Sequence, residues 1–298
     1  MVMSQQVIRC HILFASIALI GACSQGKQTD SKPEHGETAS AEKDSASETK
    51  SSDQKEADQA KQDASNPTYS VPELVSKLTW TAEIANNQNN KVFSGYDGTN
   101  SYKILIDIAV FGDLPPTIKV TEEQANAVYD SPEYLAAAAV EAAKIKFTAD
   151  ATLVSTKLSE EYDEGRVFEL TTLKAGSGMA KASWGSTEIP LAIQVTAYTA
   201  AQVTAGKQRY ETAVAGATPS AACATCHRSA TGIDHSPYYM AQYTDAVLLS
   251  TIETGVNSDD NYQTKSPHKM TFATAAAKAG IVPYLRSLDP NLLPSEQK

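Results

Sequence analysis

The chain has 298 residues and a formal net charge of −10, with 35 acidic side chains against 25 lysines and arginines. No segment combines clustered basic residues with aromatic residues, so nucleic acid is not an expected partner, and an acidic surface is repelled by anionic lipid. The sequence contains four cysteines, which form an N-terminal and a C-terminal pair: Cys10, Cys23, Cys223 and Cys226. Thiol chemistry is therefore restricted to two short segments.

The N-terminal segment has the composition of a targeting sequence. Arg9 and His11 precede an apolar run from Ile12 to Ile20. This run is too short to span a bilayer as a mature helix, but it has the length of the hydrophobic core of a signal peptide. The segment is therefore predicted to direct export and to be no part of the folded protein.

The end of that segment, Ile20-Gly21-Ala22-Cys23, resembles the lipobox of bacterial lipoproteins. The resemblance implies that residues 1–22 are a signal peptide and that Cys23 is lipidated and becomes the mature N-terminus. Ser24 follows, not the Asp associated with inner-membrane retention. The hypothesis is an outer-membrane lipoprotein of a Gram-negative cell that faces the periplasm or the cell surface. An ordinary cleaved signal peptide or an uncleaved anchor is the alternative.

Residues 23–70 have a low-complexity composition of Ser, Lys, Glu, Asp, Gln and Ala, with no aromatic residue before Tyr69. Such a segment buries too little apolar area to offset the loss of chain entropy on folding. It is predicted to be a disordered, lipid-anchored tether with a root-mean-square span of roughly 35 to 45 Å. A single charged helix over residues 57–64 is the competing interpretation.

Residues 71–199 show the patterns of β-strands. Residues 101–110 alternate in part, residues 166–172 alternate clearly between apolar and polar side chains, and residues 189–198 are rich in strand formers. Pro190 favours an edge position or a bulge in that last strand. Strands at this spacing predict a β-sandwich-like domain.

A helix is predicted to interrupt the strands. Ser131-Pro132-Glu133 is followed by an alanine-rich run from Tyr134 to Lys146, which indicates an N-capped helix. The hairpin from Met179 to Tyr198 resembles the terminal strands of bacterial immunoglobulin-like domains, which often precede a cytochrome module in exported proteins. The resemblance implies an Ig-like middle domain with a helical insertion, and another small α+β domain is the alternative. Because the region contains no histidine and no visible catalytic constellation, it is interpreted as a spacer.

Cys223-Ala224-Thr225-Cys226-His227 is the motif with the most specific chemistry. Two thiols separated by two residues and followed directly by an imidazole have the spacing that attaches a c-type haem covalently. Both sulfurs add across the vinyl groups of one porphyrin edge, and His227 supplies the proximal iron ligand. A structural disulfide, a thioredoxin-like dithiol and half of a zinc site are the alternatives. We therefore predict one covalent haem c.

Two segments flank the motif at a distance. Gly206-Lys207-Gln208-Arg209-Tyr210 lies before it, and Ile281-Val282-Pro283-Tyr284-Leu285-Arg286-Ser287-Leu288 lies near the C-terminus. They resemble the first and last helices of class I cytochrome c, in which a glycine and an aromatic residue four positions later face the last helix. The resemblance implies that residues 200–298 form an all-α cytochrome c domain.

Two features depart from that family. The segment from Glu211 to Ala222 is longer than the usual connection to the haem motif and is predicted to be a loop. Pro283 belongs in a first helical turn, so the last helix is expected to begin near Ile281 or to be kinked.

The second axial ligand is predicted to be Met270. It lies between the haem motif and the last helix, which is the usual order in the family, and a thioether ligand raises the reduction potential relative to a second imidazole. His268 is the alternative ligand, because the proline that commonly follows the family's methionine is replaced by Thr271. Met240 and an open or water-bound position are further options. Arg228 is a candidate partner for a haem propionate.

The sequence as a whole predicts a multidomain protein: a disordered tether, a β-sandwich-like Ig-like domain with a helical insertion, and an all-α cytochrome c domain. The resemblance implies single-electron transfer to redox partner proteins in the cell envelope, without an enzymatic activity. A haem domain that binds a diatomic gas or acts as a weak peroxidase is one alternative, although bacterial cytochrome peroxidases usually carry two haem motifs. An adhesive or scaffolding lipoprotein, whose β domain binds a surface partner, is the other.

Overall fold

The computed structural model describes residues 69–87, 89–215, 220–228, 237–255 and 270–292. All of these residues belong to one structural unit. The predicted signal peptide, the lipidation residue Cys23, almost all of the predicted tether and the alternative ligand His268 lie outside the described residues. The predicted domain limits at residues 22, 70 and 199 stay a prediction.

Strands and helices occur in similar amounts among the described residues. The strands are β1 (Thr79–Ile84), β2 (Lys91–Tyr96), β3 (Lys103–Asp113), β4 (Lys146–Ala149), β5 (Val154–Tyr162), β6 (Gly165–Thr172), β7 (Gly176–Trp184) and β8 (Thr187–Ala197). The helices are α1 (Val71–Val75), α2 (Glu122–Tyr129), α3 (Pro132–Ala142), α4 (Ala200–Glu211), α5 (Ala224–His227), α6 (Pro237–Met240), α7 (Asp245–Thr254) and α8 (Ala275–Arg286). Within the described ranges, none of the helices combines the length and the apolar character needed to cross a membrane.

The strands form two four-stranded sheets. The first has the order β1-β3-β6-β5 and is antiparallel throughout. The second has the order β2-β8-β7-β4, in which β2 and β8 run parallel and the other pairs are antiparallel. Pro190 of β8 lies opposite Lys181 of β7, before the pairing with β2 begins at Ala192. The strand has a local edge at that point, where a residue without an N–H is tolerated, as predicted from the proline.

The two sheets share one hydrophobic core, which we call the strand core. Ile104, Ile106 and Ile108 alternate along β3, are at most 1% exposed, and belong to the same cluster as Leu191 and Ile193 of β8. Helices α3 and α6 pack on β3 as well. Burial on both faces explains why β3 is almost continuously apolar and does not alternate cleanly.

Helices α2 and α3 form the insertion between β3 and β4. Ser131 begins α3, and its side-chain oxygen accepts a hydrogen bond from the Tyr134 N–H at 3.1 Å, which agrees with the predicted cap. The Tyr134 ring stacks on Trp80 of β1, with 5.6 Å between ring centroids. The insertion is therefore fixed to the outer strand of the first sheet.

The C-terminal helices are organised around the crossing of α4 and α8. A Cβ atom added at Gly206 would overlap the carbonyl oxygen of Gly280, and one added at Gly280 would overlap the carbonyl oxygen of Gln202. Only glycine permits so close an approach of two helix backbones. The rings of Tyr210 and Tyr284 lie beside this crossing, 5.2 Å apart, so Gly206 and Tyr210 both face the last helix, as predicted.

A second hydrophobic cluster, the helical core, surrounds this crossing. It contains buried residues of α4 and α8 together with Cys223, Leu248 of α7 and Tyr102, which directly precedes β3. Tyr102 is completely buried. Residues of the sheet region therefore complete the core of the C-terminal helices.

The fold-class prediction is wrong, because the described residues contain no all-α domain. About a third of the structure is helical and about a third is strand. Strand β8 ends at Ala197, and Thr199 already caps α4 by accepting a hydrogen bond from the Gln202 N–H, so no linker separates the sheets from the helices. The Phe93 N–H of β2 also donates to the Ala241 carbonyl oxygen at 2.7 Å. The helices thus pack on the sheets and do not form a separate cytochrome domain.

The predicted start of the last helix is also wrong. Helix α8 begins at Ala275, where the Thr274 side chain accepts a hydrogen bond from the Ala277 N–H, and Pro283 lies inside it. The threonine cap fixes the first turn well ahead of the proline.

Candidate functional site

The cysteine–histidine motif forms a short helical turn. The His227 N–H donates to the Cys223 carbonyl oxygen at 3.0 Å, and the Arg228 N–H donates to that of Ala224 at 3.1 Å. Residues four apart on such a turn lie on the same face. Cys223 is 7% exposed and His227 is 6% exposed, so this face is buried. Cys226 belongs to α5 by its backbone, and its side chain lies outside the description.

Met270 packs against the helical core that contains Cys223. Its N–H donates to the Ile252 carbonyl oxygen of α7 at 3.0 Å. Its sulfur accepts a hydrogen bond from the Ser220 hydroxyl, with 3.1 Å between Oγ and Sδ. Ser220 precedes the cysteine–histidine turn by three residues, so the thioether lies against the chain that leads into the motif.

Arg209 is a charged side chain in contact with that sulfur, and it is only 4% exposed. Its Nη2 lies 3.7 Å from the Met270 Sδ and donates to the Ser220 Oγ at 2.8 Å. No sequence motif marks Arg209 as a functional residue. Its position in the sequence indicates burial, because it follows Gly206 by three residues and therefore lies beside the buried face of α4.

Arg228 lies over the Tyr210 ring, with 5.5 Å from its Cζ to the ring centroid. Its Nη2 donates to the Glu211 carboxylate and to the Tyr284 hydroxyl, at 3.0 Å each. Burial lowers the pKa of this guanidinium, but the hydrogen bonds and the charge of Glu211 outweigh burial and raise the pKa overall. Its Nε is buried without a hydrogen-bond partner among the described residues.

The helices that carry these residues are held to the sheets by Arg286, whose side chain is 1% exposed. Its Nε donates to the Asp245 carboxylate at 2.8 Å, and its two terminal nitrogens donate to the carbonyl oxygens of Phe93 and Tyr243 at 2.8 and 2.6 Å. The Tyr198 hydroxyl donates to the other oxygen of Asp245 at 2.6 Å. Burial raises the pKa of Tyr198, so the phenol stays protonated and remains a donor.

The structure thus brings together Cys223, Arg209 and Met270 within or beside the helical core, and His227 is buried on the same turn as Cys223. Met240, a further candidate ligand, packs against the same core. His268 lies outside the described residues, so the structure describes one of the two main candidates for the second axial position. Within the described ranges, no three side chains of His, Cys, Asp or Glu cluster as a metal-ion site.

These side chains are chemically compatible with a c-type haem. The iron of an electron-transfer haem c is commonly bound by an imidazole and a second soft or nitrogen ligand, and the His227 imidazole and the Met270 thioether are of these types. The thiol of Cys223 and the imidazole of His227 share one buried face. The buried Nε of Arg228, next to His227, has no acceptor among the described residues, and a porphyrin carboxylate is an acceptor of suitable charge.

Comparisons with known proteins identify no family. No family model matches the chain, and no curated protein matches it. Among solved structures, domains 4 and 5 of the S-layer protein SbsC are similar at 14% identity with a TM-score of 0.23, over 40% of this chain and 52% of that chain. Domains 1–6 of the same protein are similar at 13% identity with a TM-score of 0.22, over 41% of this chain and 13% of that chain. The chain thus spans about half of the first of these structures, and scores this low carry no argument about fold or function.

Proposed function

We propose that the chain is an exported, lipid-anchored protein that transfers single electrons through one covalently bound haem c. The observation that carries the proposal is the buried turn on which Cys223 and His227 share a face, in a core that also holds the Met270 thioether. The proposal concerns haem attachment and electron transfer. It does not require an all-α cytochrome domain.

The residues have distinct roles in this proposal. Cys223 and Cys226 would hold the porphyrin through thioether bonds, and His227 and Met270 would supply the imidazole and thioether ligands to its iron. The bound haem supplies reversible one-electron exchange at iron. Apolar surroundings disfavour the more highly charged oxidised state, so the burial of the turn and of the thioether favours a raised reduction potential.

The cellular context of the proposal comes from the N-terminal segment. Lipidation of Cys23 would anchor the protein in the outer membrane, and the low-complexity residues up to position 70 would let the folded part reach redox partner proteins of the cell envelope. A Cys23→Ser variant is expected to move from the membrane fraction to the soluble fraction. Its haem content should stay unchanged, because lipidation and haem attachment use different cysteines.

The decisive experiment is production of the full chain in a bacterial strain competent for haem ligation. Intact-protein mass should show one added haem, and the alkaline pyridine spectrum should show two thioether linkages. The Cys223→Ala, Cys226→Ala double variant should carry no covalent haem, and the Cys23→Ser variant is the matched control for loss of a cysteine. Colourless wild-type protein without added mass would overturn the proposed function.

The oxidised spectrum identifies the second axial ligand. A methionine-to-ferric-iron charge-transfer band is expected in the wild-type protein. Met270→Ala should abolish the band, and His268→Ala should leave it intact. Absence of the band from the wild-type protein would count against Met270 and for His268.

A further inference from the structure

Arg209 is a buried cation without a described carboxylate partner. Its contacts among the described residues are to carbonyl oxygens, one hydroxyl, one thioether and the ring of Phe272, 5.8 Å from its Cζ. Burial of a guanidinium is costly unless all its donors are satisfied. By contrast, the equally buried Arg286 has the Asp245 carboxylate as a counter-charge. Arg209 therefore places a positive charge beside the Met270 sulfur, and no carboxylate among the described residues is paired with it.

The hydrogen bonds of Arg209 join three chain segments. Its Nε donates to the Thr271 carbonyl oxygen at 2.9 Å, directly after Met270. Its Nη1 donates to the carbonyl oxygens of Thr212 and Ala221, at 3.2 and 3.1 Å. These two residues lie near the two ends of the segment from Glu211 to Ala222, which precedes the cysteine–histidine motif. The planar fork of arginine permits this set of contacts, which lysine does not reproduce. The side chain therefore fixes the methionine segment relative to the approach to Cys223.

Arg209 and Ser220 both contact the sulfur of Met270. Ser220 Oγ lies 3.1 Å from Sδ, and Arg209 Nη2 lies 3.7 Å from it and 2.8 Å from Ser220 Oγ. A thioether sulfur has two lone pairs, so one lone pair accepts from a donor while the other is available to a metal. The donor pair restricts the rotamers of the methionine and so reduces the entropy lost when the sulfur binds.

We infer that Arg209, acting with Ser220, is a positioning residue for the Met270 thioether as an axial ligand, and that its buried charge raises the reduction potential of the haem. The inference rests on the proposed function. Positive charge near the iron disfavours the oxidised state, and hydrogen bonding to the sulfur reduces its donation to ferric iron. Both effects act in the same direction.

The first test uses the haem-loaded full chain. Arg209→Gln removes the charge and most of the fork, and it should shift the ferric–ferrous equilibrium about tenfold toward ferric, which is a fall of about 59 mV for a one-electron couple. Arg209→Lys keeps the charge and should lower the potential less, while it weakens the methionine charge-transfer band. Ser220→Ala is the mild variant that preserves the fold, and it should weaken the band with a smaller fall in potential.

Arg286→Lys is the matched control, because it alters a buried arginine of the same helical region that has no contact with Met270. It should lower stability without changing the band or the potential. If all of these proteins carry haem, and Arg209→Gln and Ser220→Ala match the wild type in band and potential, the inference is overturned while the proposed function stands. If the wild-type protein carries no haem, the proposed function itself fails.

The second test needs no haem. Hydrogen peroxide oxidises accessible thioethers to sulfoxides, and Met179, which is 54% exposed, provides an internal reference for the rate in the same molecule. In the haem-free wild-type protein, Met270 should oxidise several-fold more slowly than Met179, as followed by peptide mass spectrometry. Ser220→Ala and Arg209→Gln should raise the Met270 rate and leave the Met179 rate unchanged. Equal Met270 rates in wild type and variants would show that these side chains do not hold the thioether.

Discussion

The strand core and the helical core bury their residues by different means. The strand core is built from aliphatic side chains of both sheets, among them Ile106 and Leu191, and the positions inside it carry no charge. The helical core contains tyrosines, a thiol and a thioether, and buried arginines border it. The first core consists of apolar side chains, whereas buried arginines at the second make directed polar contacts. Two of the proposed haem-binding residues, Cys223 and Met270, therefore belong to the core that makes polar contacts.

The largest expected effect comes from removing the polar anchor between the two regions. Arg286→Met keeps much of the side-chain volume but leaves Asp245 and two carbonyl oxygens without their donor. We expect a loss of about 4 kcal/mol in the free energy of unfolding, because three hydrogen-bond acceptors, one of them the partly exposed Asp245 carboxylate, lose their donor. Urea unfolding followed by circular dichroism measures it. Lys181→Met, which removes a surface ion pair with Glu188 on the second sheet, should change stability by less than about 1 kcal/mol.

The helix crossing is the next most sensitive position. Gly206→Ala places a methyl group against the Gly280 carbonyl oxygen, so α4 and α8 must separate. We expect a loss of about 3 kcal/mol from overpacking, together with weaker haem retention. Gln208→Ala lies on the exposed face of the same helix and should be close to neutral. Equal stability of the two variants would contradict the close approach of the helices.

The strand core should tolerate conservative change better. Ile106→Val removes one methyl group from a residue that is 1% exposed, and we expect a loss of about 1 kcal/mol. Because the strand core carries none of the proposed ligands, the haem spectrum should be unchanged. A change in the methionine charge-transfer band in this variant would show that the two cores are coupled more tightly than their separate contacts indicate.

The smallest effect concerns Asp107, at the border of the two regions. It accepts hydrogen bonds from Tyr162 of β5 at 2.7 Å and from Tyr238 of α6 at 3.2 Å. Burial raises its pKa, against the lowering effect of these hydrogen bonds, so the folded state holds the proton more tightly than the unfolded state does. The resulting stability is present below the ordinary Asp pKa of about 4 and is lost as the pH rises through the raised value.

Asp107→Asn removes this titration. The free energy of unfolding of the wild type, relative to the variant, should therefore fall as the pH rises above the ordinary Asp pKa of about 4. Parallel stability curves for the two proteins across this range would show that the carboxyl group is not perturbed by the fold.

The sequence was informative where local rules suffice. The cap at Ser131 and the constraint at Pro190 follow from the residues themselves, the contact of Gly206 with the last helix was implied by the family resemblance, and the structure agrees with each. The fold class did not follow, because nothing local shows that Tyr102 is buried among C-terminal helices or that Phe93 donates to Ala241. Such contacts are properties of the tertiary arrangement.

The polar part of the candidate site was also hidden from sequence reasoning. The spacing of its cysteines and histidine makes the motif at Cys223 recognisable in the sequence. The contact of Arg209 with Met270 joins residues 61 positions apart, which no local pattern predicts. A basic residue in a helix is usually exposed, so composition alone favoured the wrong environment for Arg209. Thr274, the N-cap of α8, is of a residue type that favours a helix start. The start was nevertheless predicted from Pro283, because proline is favoured in a first helical turn, and it was therefore placed too late in the chain.

The glycine crossing also bears on the order in which the protein matures. Helices α4 and α8 lie on opposite sides of the cysteine–histidine turn in the chain, so their contact closes a long loop that contains it. In the proposed export and haem attachment, that loop would stay open, and the thiols would stay reachable by ligation enzymes, until Ala275 and the residues after it have crossed the membrane. A secreted chain truncated before Ala275 should therefore keep an accessible Cys223 by thiol labelling, whereas the complete haem-free chain should protect it.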